Sequence, residues 1–226
     1  MEKNRTQTNY LDRITMHRRN MKTRSLKAIL LSLAALVSIS SCGQEPVIPQ
    51  DGDVVFQESK SRQSPIIKLA QHSRWTHCGI VFHIGEKAYV YEAVEPVKYT
   101  LLEDWIARGK NGEYCVKRLK SPLSDTAIKK MKTVGAKYKG KHYDTLFQWS
   151  DNKLYCSELV WKIYSQGAGI ELCRPEQFSD FPIDNPIVKK LIKERYVNKL
   201  DLAEQIVSPK ALYKSKLLED VYYLGL

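Results

Sequence analysis

The chain has 226 residues, a formal charge of +11 and 43% hydrophobic residues, enough apolar content for one domain with a substantial core. Residues 1–41 hold eight Lys or Arg and two Asp or Glu, so the remainder carries +5. That mild excess, with Lys129, Lys130, Lys137, Lys139 and Lys141 reading as a solvated face, excludes a concentrated nucleic-acid footprint.

Met21-Lys22-Thr23-Arg24-Ser25-Leu26-Lys27 is a basic leader, and Ala28 to Val37 is an apolar run too short to span a bilayer. Ile39-Ser40-Ser41-Cys42 then resembles a lipobox. The expectation is a lipoprotein signal over 1–41, with Met21 favoured over Met1 or Met16 as its start; an ordinary secretory signal or anchor is the alternative. Cys42 would carry the lipid and residues 42–50, with two prolines, would form a tether. This places the protein in the cell envelope, membrane-anchored on the periplasmic or outer-membrane side, with 51–226 as one domain.

Within that domain Asp53 to Phe56 reads as a strand after an Asp51-Gly52 turn, and residues 57–76 as a short helix or crossing loop. His77 to Ile84 and Ala88 to Val94 flank Gly85-Glu86-Lys87 as a hairpin. Leu101 to Arg108 is a short helix with Leu101, Trp105 and Ile106 inward, and Tyr114 to Leu119 is a strand. Ser124 caps a helix whose Ile128, Met131, Val134 and Tyr138 share one face. Another helix starts at Cys156 and stops at Gly167. The tail has helical periodicity over Ile187–Tyr196 and Ala211–Tyr223, with Ser208-Pro209 as a start signal. Strands followed by helices give an α+β class, an antiparallel sheet or small barrel packed against helices.

Tyr155-Cys156-Ser157-Glu158-Leu159-Val160-Trp161 places a cysteine in the first turn of a helix, where unpaired N–H groups and the helix dipole favour a thiolate. A small buried apolar residue is the competing reading. The other domain cysteines, Cys78, Cys115 and Cys173, complete no zinc pattern, and no disulfide is expected. A thiol nucleophile needs a base, and His77 and His83 lie on one side of the same strand. His72 and His142 fall in loops. Glu92 lies in the strand expected to pair with the His77 strand, where a carboxylate is costly without a partner. A bond from Glu92 to the His77 ring would satisfy both and favours His77, with His83 left open.

The ordered motifs Asp51-Gly52-Asp53-Val54-Val55-Phe56, Thr76-His77-Cys78-Gly79-Ile80, Tyr91-Glu92-Ala93, Tyr143-Asp144 and Tyr155-Cys156-Ser157-Glu158-Leu159-Val160 resemble the YaeF/YiiX group. These are circularly permuted, NlpC-type papain-like cysteine hydrolases, and histidine preceding cysteine is what permutation implies. The closing Val207-Ser208-Pro209 resembles that group's tail. The resemblance implies a catalytic triad of Cys156, His77 and Glu92, and ranks His77 above His83. It also implies substrate contacts from Tyr143 and Tyr155, with Tyr143 as a substrate or oxyanion donor and Asp144 structural. The backbone N–H of Cys156 is the first oxyanion donor by default.

The expected activity is amide hydrolysis through a thioester, on a peptide, a cell-wall stem peptide or an acyl amino acid, with no cofactor or metal. The partners are then that substrate and, through the N-terminal lipid, the membrane, with no nucleic acid. Two rival readings are a lipid acyl hydrolase or acyltransferase using the same triad, and a lipid-anchored binding module without turnover.

Overall fold

A computed structural model describes residues 48–195 and 200–224; the expected signal, Cys42 and most of the tether lie outside them. Six antiparallel strands form the central sheet: β1 (Val54–Ser59), β2 (His77–Ile84), β3 (Lys87–Glu92), β4 (Lys98–Leu101), β5 (Gly109–Leu119) and β10 (Leu218–Leu224). Their order is β10-β5-β1-β2-β3-β4. The β2–β3 connection is the expected hairpin, turning at Gly85 with φ +60°. The expected α+β architecture, an antiparallel sheet packed against helices, holds.

Period-two alternation gives the sheet two apolar faces. Phe56, Cys78, Ile80, Phe82 and Tyr91 pack on one side against α3 (Asp125–Tyr138) and α4 (Cys156–Ile163). Val55, Val81, Val90 and Val116 pack on the other against Leu102 and Trp105 of α2 (Leu102–Arg108). Burying both faces explains why the strands are near-continuous apolar runs. The Ser124 side chain accepts from Ala127 N–H and starts α3 as expected.

Three local expectations are corrected. Leu102, not Leu101, turns inward beside Trp105, because Leu101 is the N-cap of α2. Gly167 does not stop α4: the chain continues as a π-turn over Tyr164–Ala168 and is capped at Gly169 with φ +71°. Gly167 is a close-approach site instead, since a Cβ there would lie 2.6 Å from Met131 Cα. The stretch read as helix over Ala211–Tyr223 is a short helix and a strand. After α6 (Pro209–Tyr213), β10 pairs with the edge of β5, whose N–H and C=O groups would otherwise be unpartnered on that side.

Further elements frame the site. Helix α1 (Ser64–Gln71) occupies the expected crossing, and α5 (Pro186–Arg195) the first tail helix. Two-residue strands β6 (His142–Tyr143) and β7 (Lys153–Leu154) pair in parallel, and β8 (Glu176–Gln177) pairs antiparallel with β9 (Gln205–Ile206).

Candidate active site

The hairpin register builds the first half of the site. Ile80 lies opposite Tyr91, so the next step along the antiparallel ladder sets Glu92 against Gly79, diagonal to His77. Gly79 is needed there. A Cβ would come 2.4 Å from Val90 Cγ1, 2.9 Å from Tyr91 O and 3.3 Å from Glu92 Cβ. Without it, the Glu92 side chain crosses the strand, and His77 Nε2 bonds Glu92 Oε2 at 2.6 Å. His77 is 7% exposed and Glu92 is fully buried.

Helix α4 supplies the second half. Cys156 is its first residue, after Tyr155 in extended conformation, and is 2% exposed. His77 is the imidazole that acts on its thiol, and because Nε2 is taken by Glu92, Nδ1 is the ring nitrogen left for sulfur. Cys78, buried next to His77 on β2, is the other group that acts on the thiol.

The electrostatics follow from these bonds. Donation from the Cys78 thiol, opposed by burial and reinforced by His77, holds Cys156 well below the ordinary thiol range. Burial pushes the Cys78 thiol up, so it stays protonated and donates. Burial works against charge on His77, but its bonds to Cys156 and Glu92 outweigh that and raise it to about 10. Burial likewise resists ionisation of Glu92, yet bonds from His77, Thr100 and Arg108 bring it down to about 2. Near neutral pH this is a thiolate–imidazolium–carboxylate series. Its chemistry is nucleophilic attack with a proton held ready for a leaving group.

The structure brings Cys156, His77 and Glu92 together. His83 is at the far end of β2, bonded to Asp51 Oδ1 at 2.7 Å. Tyr143 sits in β6 beside Leu154, with its N–H donating to Glu95 Oε2 at 2.9 Å and its side chain half-buried against the core. Tyr155 is buried beside Cys156, and its hydroxyl accepts from Val207 N–H at 3.1 Å. A cleft next to Cys156 is lined by Tyr155 but not by Tyr143. Asp144 bonds the N–H groups of Leu146 and Gln148, a structural role.

Sequence reasoning missed the groups that steady Glu92. Thr100 Oγ1 donates to Glu92 Oε1 at 2.5 Å, and Arg108 Nη2 bonds the same oxygen. Arg108 ends a helix read only for its apolar face, and β4, which carries Thr100, was not anticipated. Cys78 was weighed as a pairing cysteine, whereas here it faces the thiolate. The one available signal was its position directly after His77.

A histidine and a carboxylate on adjacent antiparallel strands, facing a cysteine at the start of a later helix, define a papain-like site in permuted order. Residues 48–222 match the family described as permuted papain-like amidase enzyme, YaeF/YiiX, C92, and the chain belongs to that family. It is similar to the uncharacterized protein YiiX of Escherichia coli strain K12, 40% identical over 196 residues, covering 87% of this chain and 96% of that protein. It also resembles the crystal structure of YiiX from Escherichia coli O157:H7, with a TM-score of 0.75 and 42% identity over 78% of this chain and 98% of that one. That structure is described as a metalloprotein. Among the described residues of this chain, no group of three or more His, Cys, Asp or Glu is arranged to hold a metal ion.

Proposed function

We propose that this protein is an exported, lipid-anchored cysteine amidase in which Cys156, His77 and Glu92 hydrolyse an amide through a thioester. The observation that carries the reading is the bond of His77 Nε2 to the buried Glu92 at 2.6 Å, with Cys156 buried at the start of α4 as the thiol whose ionisation His77 favours. The Cys156 thiolate attacks the carbonyl carbon. The oxyanion forms beside N–H groups of the first turn of α4, which have no partner within the helix. The C–N bond breaks as His77 passes its proton to the amine, leaving a thioester on Cys156. His77 then takes a proton from water, the hydroxide cleaves the thioester, and a carboxylate leaves as the thiolate is restored. Glu92 orients the imidazole throughout and stabilises it whenever it carries the proton. Anchoring at Cys42 rests on the leader and lipobox pattern of the sequence.

The test is to incubate the full chain and its Cys156→Ala form with peptides, cell-wall fragments, acyl amino acids and phospholipids, identifying products by mass. Amide cleavage lost in the variant, with an acyl adduct trapped on Cys156, is the expected result. Undiminished cleavage by Cys156→Ala would sink the proposal. The apolar lining of the neighbouring cleft favours, as a second reading, hydrolysis or transfer of an ester-linked acyl chain. Free fatty acid or an acylated acceptor appearing from phospholipid alone would select it.

A further inference from the structure

Glu158 and Lys162 are charged residues buried within two turns of the nucleophile, and the proton transfers assigned to Cys156, His77 and Glu92 use neither. Glu158 has no exposure and Lys162 is 4% exposed. They are four residues apart on α4, the spacing that brings a carboxylate onto an ammonium one turn further along a helix, and Lys162 Nζ lies 2.8 Å from Glu158 Oε1. The carboxylate also turns back over the start of α4. Its Oε2 accepts from Tyr155 N–H at 3.4 Å, as the third helical residue of a capping box does, and its Oε1 accepts from Ser150 N–H at 3.2 Å.

The ammonium reaches the same stretch of chain. Lys162 Nζ donates to Ser150 O at 2.6 Å and to Asp151 Oδ1 at 2.8 Å, so with Glu158 its three N–H donors are all engaged. It also lies 5.0 Å from the centre of the Trp149 ring, and that ring meets Trp161 of α4 edge-on at 5.3 Å. Asp151 is held from α3 as well, by Tyr138 OH at 3.3 Å. Ser150 and Asp151 lead through β7 into Tyr155 and Cys156. The pair therefore grips the chain on both sides of the nucleophile, the approach before it and the helix after it.

Stability does not account for such a pair. Two buried charges carry a desolvation cost that an apolar pair of similar volume avoids, and burial pushes Glu158 up to about 7, so its ionisation works against the fold. What the bonds do specify is main-chain direction. Tyr155 is extended, with φ −100° and ψ 166°, and Cys156 is the first helical residue. The Cys156 N–H, the first oxyanion donor, points where that change of conformation aims it. Glu158 holds the N–H one residue earlier, so a shift there re-aims the donor, and a misplacement of about 1 Å can cost about 100-fold in rate.

We infer that Glu158 and Lys162 are positioning residues for the nucleophile: by tying Ser150 and Tyr155 to α4 they aim the Cys156 N–H at the oxyanion. The inference rests on Cys156 being the nucleophile. Two reactions of its thiolate separate aim from availability. Iodoacetamide alkylates it by displacement, one C–S bond forming as one C–I bond breaks and iodide leaves, with no oxyanion. With p-nitrophenyl acetate the thiolate adds to the carbonyl, an oxyanion forms, and p-nitrophenolate leaves a thioester behind. Both rate constants are measured at one pH on the full chain, with peptide mass placing each adduct on Cys156. Partial unfolding lowers both alike and cancels in their ratio. In Glu158→Ala and in Lys162→Met the ratio of acetylation to alkylation should fall by roughly ten- to 100-fold, while Glu158→Gln, which keeps one acceptor oxygen, should recover part of the loss. An unchanged ratio in either Glu158→Ala or Lys162→Met would overturn the inference. So would a wild type that is alkylated but not acetylated, because no aimed donor then exists for the pair to hold. A Cys156 inert to both reagents would defeat the nucleophile reading, and this inference with it.

Discussion

Exchanging Glu92 for Gln keeps the side chain's size and removes its charge at the centre of the proposed triad. The carboxylate is fully buried and receives His77 Nε2 at 2.6 Å, Thr100 Oγ1 at 2.5 Å and Arg108 Nη2. Burial opposes its ionisation, yet its donors bring it from 4.5 to about 2. A gap of about 2.5 pH units corresponds to roughly 3 kcal/mol of preference for the charged form. The bond to His77 is charge-assisted, about 1.5–3 kcal/mol, so Glu92→Gln should lower kcat/KM by roughly ten- to 150-fold. The pH profile supplies the decisive readout. Losing the carboxylate makes the imidazolium easier to deprotonate, so the alkaline limb, set by His77 near 10, moves down. The thiolate loses part of its cationic partner, and the acid limb moves up. Alkylation of Cys156 by iodoacetamide across pH measures the acid limb, and turnover measures both.

Stability gives an independent check on the same residue. A depressed carboxylate contributes stability that is present above its unfolded pKa, 4.5, and is lost as pH falls through about 2. The wild type should therefore lose up to about 3 kcal/mol more than Glu92→Gln over that acid window. A bell with unmoved limbs, a loss of kcat/KM below about threefold, and parallel acid unfolding would together refute the role assigned to Glu92.

Substitutions at three further positions, Thr100, Cys78 and Glu158, test neighbouring parts of the site. Thr100→Val deletes one donor to Glu92 and should cost roughly tenfold in kcat/KM with a downward shift of the alkaline limb; a rate loss with both limbs fixed would reduce Thr100 to packing. Cys78→Ala removes the thiol that donates to Cys156 and should raise the pH midpoint of Cys156 alkylation by about one unit, with Cys78→Ser moving it less; equal midpoints in all three proteins would exclude that bond. Glu158, in the first turn of α4, is raised by burial to about 7 despite Lys162 at 2.8 Å. A raised carboxyl contributes stability below its unfolded pKa, 4.5, that is lost as pH climbs through 7, so Glu158→Gln should remove up to about 3 kcal/mol of decline between those values. Urea midpoints that fall alike in wild type and Glu158→Gln from pH 5 to 8 would show that the decline lies elsewhere.

Local signals carried much of this site. Glu92 was legible as the partner of His77 because a carboxylate in the strand beside His77 is costly without a partner; the register was not, since Lys87, placed in the loop by the sequence, pairs with Ile84 across a two-residue turn. Cys156 was legible because an apolar helical face begins beside it. Arg108 and Thr100 were not, since they meet Glu92 only when β4 and α2 fold back over β3. The strand at the C-terminus was misread for a related reason: Leu218 to Leu224 satisfies a helical period, but the open edge of β5 takes it as a ladder partner. The cleft was invisible in sequence because its walls converge from stretches far apart along the chain, from Ile66 in α1 to Pro209 in α6.

The chain's tail belongs to the site as much as the triad does. Val207 is fully buried, and its two main-chain groups hold the residues on either side of the nucleophile, Tyr155 and Ser157. Ser208 caps α6 through Ala211 N–H and bonds Glu176, while Lys210 N–H reaches Gln71 at the end of α1. The Val207-Ser208-Pro209 motif thereby joins the first turn of α4 to the two walls of the cleft. Fixing Cys156 and making the cleft apolar are consequences of one set of bonds. A substitution that broke either bond to Val207 would loosen the nucleophile's seat and the cleft wall together.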